Sequence, residues 1–238
     1  MSMDTELTLS EGMEIHSDFD EEPTEIEIID VEGNFDFVDD DFGPHFSRHK
    51  KLREFKVNEK CADKFFTQQG CLYLKLNDNK LSRGNIEEVS GDDLYKYDSG
   101  SVLVCCPQNN PIKDITLPSD CISITASAFD GCLLNSLTLP DSLKCGAYAC
   151  FAGLKLKVLR VPNNAIDIGV DHNNVNEDVL IESNTGEKCS EDIERFWRMA
   201  VNENIWEAGD TKWWLKMING CDIEYAINTA IDSSDMPF

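Results

Sequence analysis

At 238 residues the chain is long enough for one sizeable core, and 41% hydrophobic residues with 12 Phe and 4 Trp place it among globular proteins. Lys+Arg 21 against Asp+Glu 45 gives a net charge of −24, a field that repels phosphate backbones and argues against direct nucleic-acid binding. No run approaches the roughly 18–20 apolar residues of a membrane span, and the acidic N-terminus lacks a signal-peptide pattern, so the expected setting is cytoplasmic, with the 10 cysteines reduced and acting as small buried hydrophobes.

Residues 1–42 carry 16 acids and no Lys or Arg, so most of the charge excess sits in one arm, expected to be flexible on its own. Within it, "EIEIIDVE" (25–32) alternates apolar and acidic residues with the period of a strand. Ile26, Ile28 and Ile29 are therefore candidate binding residues, adding to a sheet edge of this chain or of a partner. "SRHKKLREFK" (47–56) reverses the sign. Residues 43–60 read as a basic short helix or linker whose cations meet the acidic arm or a helix end.

From 61 to 175 the chain is expected to be a repeat array. "ITLP" (115–118), "LTLP" (137–140) and "LRVP" (159–162) recur at a constant interval of 22 residues. Phe129/Phe151, Gly131/Gly153 and Leu134/Leu156 keep the same step, and such a period is the signature of a solenoid. In each tetrad the outer two apolar residues point one way and the middle residue the other, and proline then ends the strand because it has no N–H to donate. A unit of this kind buries its apolar side only by stacking on its neighbours, so every coil must have the same contour length. Thr116, Thr138 and Arg160 would then line one surface turned away from the core, as candidate binding residues.

"ITLPSDCISITASAFDGCLLNSLTLPDS" resembles the BspA-type leucine-rich repeat, with Ile115, Leu117, Pro118, Cys121, Ile124, Ala128, Phe129, Gly131, Cys132 and Leu137 on its pattern. In the second copy Leu143, Gly146 and Phe151 stand in, while Cys150 replaces the alanine and Leu154 the cysteine. The resemblance covers about 92–169 and implies a short leucine-rich solenoid used for binding, in a family whose members are often secreted adhesion modules; the signal-peptide reading sets cell-surface adhesion aside. It also implies a hairpin before the coils, with Leu94 and Tyr95 leading through Gly100 to Val102–Pro107; "CLYLKLNDNKL" (71–81) reads as an older copy of its first strand.

Residues 176–238 leave the period and read as a helical cap. Ser190 with Glu191 and Asp192 marks a helix start, and Ile193, Phe196, Trp197, Ala200 and Val201 form one apolar face. A second helix is expected from Asp210 to Gly220 and a third from Asp222 through Ile231, with Trp206, Trp213 and Trp214 joining Trp197 in the cap core. The fold class is thus α+β: a short solenoid of about 22-residue repeats, one short strand per coil, with a helical cap and an acidic N-terminal arm.

Chemistry leaves no trace. The sequence has no nucleophile elbow, no phosphate loop and no His–Glu zinc motif, none of its four histidines sits at ligand spacing to a cysteine, and its carboxylates concentrate where nothing would bury them. No catalysis, cofactor or metal is expected. The reading is a non-enzymatic module that binds another protein through the repeat face, the acidic arm or both, with no membrane partner. Two other readings stay open: a structural subunit of a large assembly such as a virus particle, and an acidic mimic of nucleic acid.

Overall fold

The computed structural model describes residues 5–15, 25–33, 36–37, 46, 49–76, 99–147, 149–164, 166–168 and 173–202. The proline tetrads build one wall. Strands β9 (Asp114–Thr116), β11 (Ser136–Thr138), β13 (Val158–Val161) and β15 (Leu180–Ser183) stack as a parallel sheet, the outer sheet, in the order β15-β13-β11-β9. Leu137 lies beside Ile115 on one side and Leu159 on the other, and Leu159 lies beside Ile181. The step of 22 thus continues one coil past the last proline tetrad, placing a strand inside the segment expected to be helical. "LIES" (180–183) holds the register because Ile181 occupies the inward slot.

After each proline the chain turns to a second wall, the middle sheet. Its order is β14 (Asp167–Ile168), β12 (Cys145–Gly146), β10 (Cys121–Ile124), β8 (Gly100–Cys105), β7 (Cys71–Leu76), β6 (Phe65–Gln68). Each repeat coil therefore carries two strands, and Ser123, Cys145 and Asp167 sit side by side at the same step. β8 pairs antiparallel with β7, Tyr73 opposite Leu103 and Leu74 opposite Val102. So "CLYLKL" supplies the hairpin's first strand; Leu94 and Tyr95 lie outside the described residues.

The acidic stretch also contributes strands. β1 (Glu6–Leu9), β3 (Ile28–Val31) and β5 (Glu54–Val57) form a parallel N-terminal sheet, and β2 (Glu14–Ile15) pairs with β4 (Asp36–Phe37). Glu6 beside Ile28 and Glu14 beside Asp36 repeat the step of 22. Phe46 is helical, and beyond it the described part of the basic segment meets these acids as strand β5 followed by a 3-10 turn at Glu59–Cys61. Lys56 Nζ lies 3.0 Å from Glu6 and 3.8 Å from Asp30, Arg53 Nε lies 3.3 Å from Glu27, and Lys51 pairs with Glu25. The hydrogen bond from Lys56 holds the Glu6 carboxyl below its ordinary value, while burial pushes Asp30 up. Cations brought into register with carboxylates are what allow such acidic strands to lie together.

Two hydrophobic clusters share the middle sheet, one on each face. Tyr73, Leu103 and Ile124 join Ile115, Leu137 and Leu159 of the outer sheet in one cluster. Leu72, Leu74, Val102 and Val104 join Leu9, Ile29, Val31 and Phe55 of the N-terminal sheet in the other. A sheet covered on both faces reads as continuous apolar runs rather than alternation, as "CLYL" and "VLVCC" do. The nine cysteines among the described residues are all buried.

The far end of the repeats is closed by α1 (Glu191–Ala200) and by asparagines. Ser190 accepts from the Ile193 N–H at 3.3 Å, and Ile193, Phe196, Trp197 and Ala200 are buried, as the helical spacing predicts. The helices expected at 210–220 and 222–231, with Trp206, Trp213 and Trp214, fall outside the described residues. "NNVN" (173–176) caps the turns beneath it. Asn173 Oδ1 accepts from Phe151 N–H at 2.9 Å, and the Asn176 amide bonds both the N–H and the C=O of Leu156, at 2.8 and 2.9 Å.

Candidate interaction surface

The outer sheet turns alternate side chains away from the core. Thr116, Thr138, Arg160 and Glu182 are register partners, forming one continuous row across four strands. Arg160 Nε reaches Glu182 at 3.2 Å, which fixes the guanidinium along the row. A second row runs Asp114, Ser136, Val158, Leu180, with Ser136 Oγ donating to Asp114 at 2.8 Å and Leu180 52% exposed.

Where these strands end, the Leu-Pro corners form one wall of a groove of about 1090 Å³ that takes in Thr116 and Thr138. Pro118 and Pro140 lie at this wall, and Phe66, Lys75 and Leu76 face it from the β6–β7 hairpin. Its two carboxylates are held from one side: Ser101 Oγ donates to Asp120 at 3.1 Å and Asn184 Nδ2 to Asp141 at 2.7 Å. Lys75 Nζ donates to the Ala62 carbonyl at 2.6 Å and lies 5.6 Å from the Phe66 ring centroid, so this cation is anchored too. An apolar floor with polar groups fixed at its margin is the composition of a recognition site. The groove's lining has no histidine or cysteine, and among the described residues no group of three or more His, Cys, Asp or Glu is placed to hold a metal ion.

The residues singled out from sequence divide sharply. Thr116, Thr138 and Arg160 come together on the exposed face. Ile26 and Ile29 go into the core at 2% and 0% exposure, and Ile28 is half-buried. The alternation of "EIEIIDVE" is a strand, added to this chain's own sheet, which turns Ile26 and Ile29 inward and leaves Ile28 partly exposed on the other side of the strand. The groove residues Phe66, Lys75, Asp120 and Asp141 were not singled out. The one signal for Asp120 and Asp141 is that Pro118 and Pro140 are each followed by an Asp/Ser pair, "PSD" and "PDS".

A parallel-β solenoid with an in-register outer face and a groove at its corners is a scaffold for recognition by surface. Residues 105–175 match the family model described as BspA type Leucine rich repeat region (6 copies), and this part of the chain belongs to that repeat family. Among solved structures the chain is similar to a leucine-rich repeat protein from Eubacterium ventriosum, at 17% identity and a TM-score of 0.43, covering 60% of this chain and 32% of that one. It is also similar to the pneumococcal vaccine antigen PcpA, at 14% identity and TM-score 0.34, covering 67% of this chain and 29% of that one. A leucine-rich cell surface protein from Faecalibacterium prausnitzii matches at 13% identity and TM-score 0.32, over 79% of this chain and 56% of that one. The chain thus spans well under two thirds of the length of each. No curated protein matches it. Among the described residues no helix is long and apolar enough to cross a membrane.

Proposed function

We propose that this protein is a non-catalytic interaction module that binds another protein through the outer sheet and the groove at its corners. The observation that carries this reading is the row Thr116–Thr138–Arg160, set in register on the exposed face and running into a groove lined by the same two threonines. Short polar side chains on a rigid sheet leave room for a partner's larger anchors and lose little entropy on contact. A cytoplasmic setting is part of the proposal, supported by nine buried cysteines carried as thiols.

The test places a photo-crosslinking residue at position 138 to capture the partner, and then measures its affinity for a Thr138→Arg, Arg160→Glu double variant. Affinity should fall by roughly tenfold or more, as for a contact near an interface centre. Lys60→Glu, on the exposed 3-10 turn, serves as a control that should bind normally. Full affinity in the double variant would remove the outer face from the binding site. Deleting residues 1–42 is the poorer experiment, because Leu9, Ile26, Ile29 and Val31 belong to the core.

A further inference from the structure

Beneath the tip of the β6–β7 hairpin three thiols lie together. The register of the antiparallel β7–β8 pair ends at Leu72 opposite Cys105, and carrying it one residue outward sets Cys71 opposite Cys106, in keeping with the two sulfurs sharing Asn110 Nδ2 as a neighbour. Both belong to the cluster between the middle and outer sheets, which puts their side chains on one face. The Cys106 N–H is given to the Ala128 carbonyl at 2.8 Å, away from β7. The pair is therefore of the non-hydrogen-bonded kind, in which Cα atoms approach to about 4.5 Å, inside the span a disulfide can bridge.

Asn110, 0% exposed, sits over the pair with Nδ2 at 3.8 Å from each sulfur. The same amide nitrogen donates to the Gln69 carbonyl at 2.8 Å, while Oδ1 accepts from the Ile112 N–H at 2.9 Å. Asn110 thus holds the Gln69–Gly70 turn down over the sulfurs. Cys132 is the third thiol, its Sγ donating to the Cys106 carbonyl at 3.1 Å. A trio of thiols invites a metal reading, but these do not form a group placed to hold one.

We propose that Cys71 and Cys106 are a reversible oxidation site, closed to a cross-strand disulfide by a small peroxide, with Asn110 as the plug that governs access. The steps balance. The Cys106 thiolate attacks one peroxide oxygen; the S–O bond forms, the O–O bond breaks, and the hydroxide released takes up the thiol's proton as water. The Cys71 sulfur then attacks the Cys106 sulfur, forming S–S and breaking S–O, and a second water leaves with the Cys71 proton. Two electrons pass from the two sulfurs to the peroxide. Hydrogen bonds from Cys132, Cys71 and Asn110 pull the Cys106 thiol below its ordinary value against the effect of burial, which marks it as the attacking sulfur. The oxidant must be small because the thiols are at most 2% exposed. The site stands apart from the outer face and does not depend on the binding reading.

The test treats the full native chain with hydrogen peroxide, blocks remaining thiols by alkylation, and maps disulfides by mass spectrometry of unreduced digests. A peptide joining Cys71 to Cys106, lighter by two hydrogens and released by dithiothreitol, should be the first linked species. Cys132→Ala should retain it, and Asn110→Ala should form it several-fold faster. A first disulfide between another pair overturns the proposal, as does recovery of Cys71 and Cys106 as alkylatable thiols once other sites are oxidised. A first link from Cys132 to Cys71 or Cys106 in the native chain would make Cys132 the partner and also overturns it. An unchanged rate in Asn110→Ala removes the plug.

Discussion

Single residues in this protein answer to the position they hold in the coil more than to their own chemistry. Ser127 and Ala149, one step apart, both take a left-handed backbone, at φ 53° and 52°, although neither is glycine. Gly131 and Gly153 repeat the agreement at φ 68° and 64°, and a Cβ on Gly153 would come 3.2 Å from the Gly131 nitrogen of the coil below. Phe129 and Phe151 do the same with side chains: both are fully buried, and their rings stack with centroids 6.0 Å apart and planes 10° from parallel. Phe129→Ala should therefore cost about 3–5 kcal/mol of unfolding free energy, because the ring fills the interior between two rigid walls that cannot collapse onto the space. Urea unfolding would measure it. A loss under about 1 kcal/mol would mean that the stack does not tie the coils together. Position in the coil was plain from the sequence wherever Phe, Gly and Pro kept step. It was hidden at Ser127 and Ala149, whose side chains carry no sign of a left-handed backbone.

At the scale of elements, the edges are what need explaining, since an unpaired strand invites another chain. β9 lies at the edge of the outer sheet, yet its backbone is not bare. Gln69 Oε1 accepts from the Thr116 N–H at 2.8 Å, and Gln68 Nε2 donates to the Thr116 carbonyl at 3.1 Å. Two side-chain amides thus stand in for the neighbouring strand, as Asn176 does for Leu156. Gln68→Ala with Gln69→Ala should open this edge, and sedimentation velocity should show more concentration-dependent association than in the parent. Identical sedimentation of the two proteins would mean that something else guards the edge. No amide cap of this kind was legible beforehand, because glutamine at a hairpin tip and "NNVN" both read as ordinary polar loop. The outer strands were legible from their prolines. Of the N-terminal strands β3 was legible from the alternation of 25–32, but β1 was not: "LTLS" (7–10) is the tetrad of 137–140 with serine in place of proline. Their core-facing residues could be found only once the cations of 51–56 were paired with them.

Among the described residues the outer, middle and N-terminal sheets are layered, and that depth sets the response to pH. Burial pushes the Cys121 thiol from 9.0 up to about 12. Burial also raises Cys105, Cys150 and Cys189. Unfolding returns these thiols to their ordinary value, so above it the unfolded chain holds fewer protons than the folded one, and stability must fall as pH rises. The contribution is complete below pH 9.0 and is lost between there and about pH 12. Each raised thiol weakens the fold progressively through that window, whereas Cys106, pulled the other way, adds stability only as pH rises toward 9.0 and is without further effect above it. Urea midpoints at about pH 8 and about pH 10 would show it, and equal midpoints would refute the account. The constant step has a different kind of consequence. A change in chain length by one coil leaves every neighbouring register intact, whereas a change of one residue would turn a strand's inward side chains to the solvent. The outer face can therefore lengthen or shorten only in units of one strand spacing, about 4.8 Å. It is a ruler, and its graduations are written in the chain as prolines.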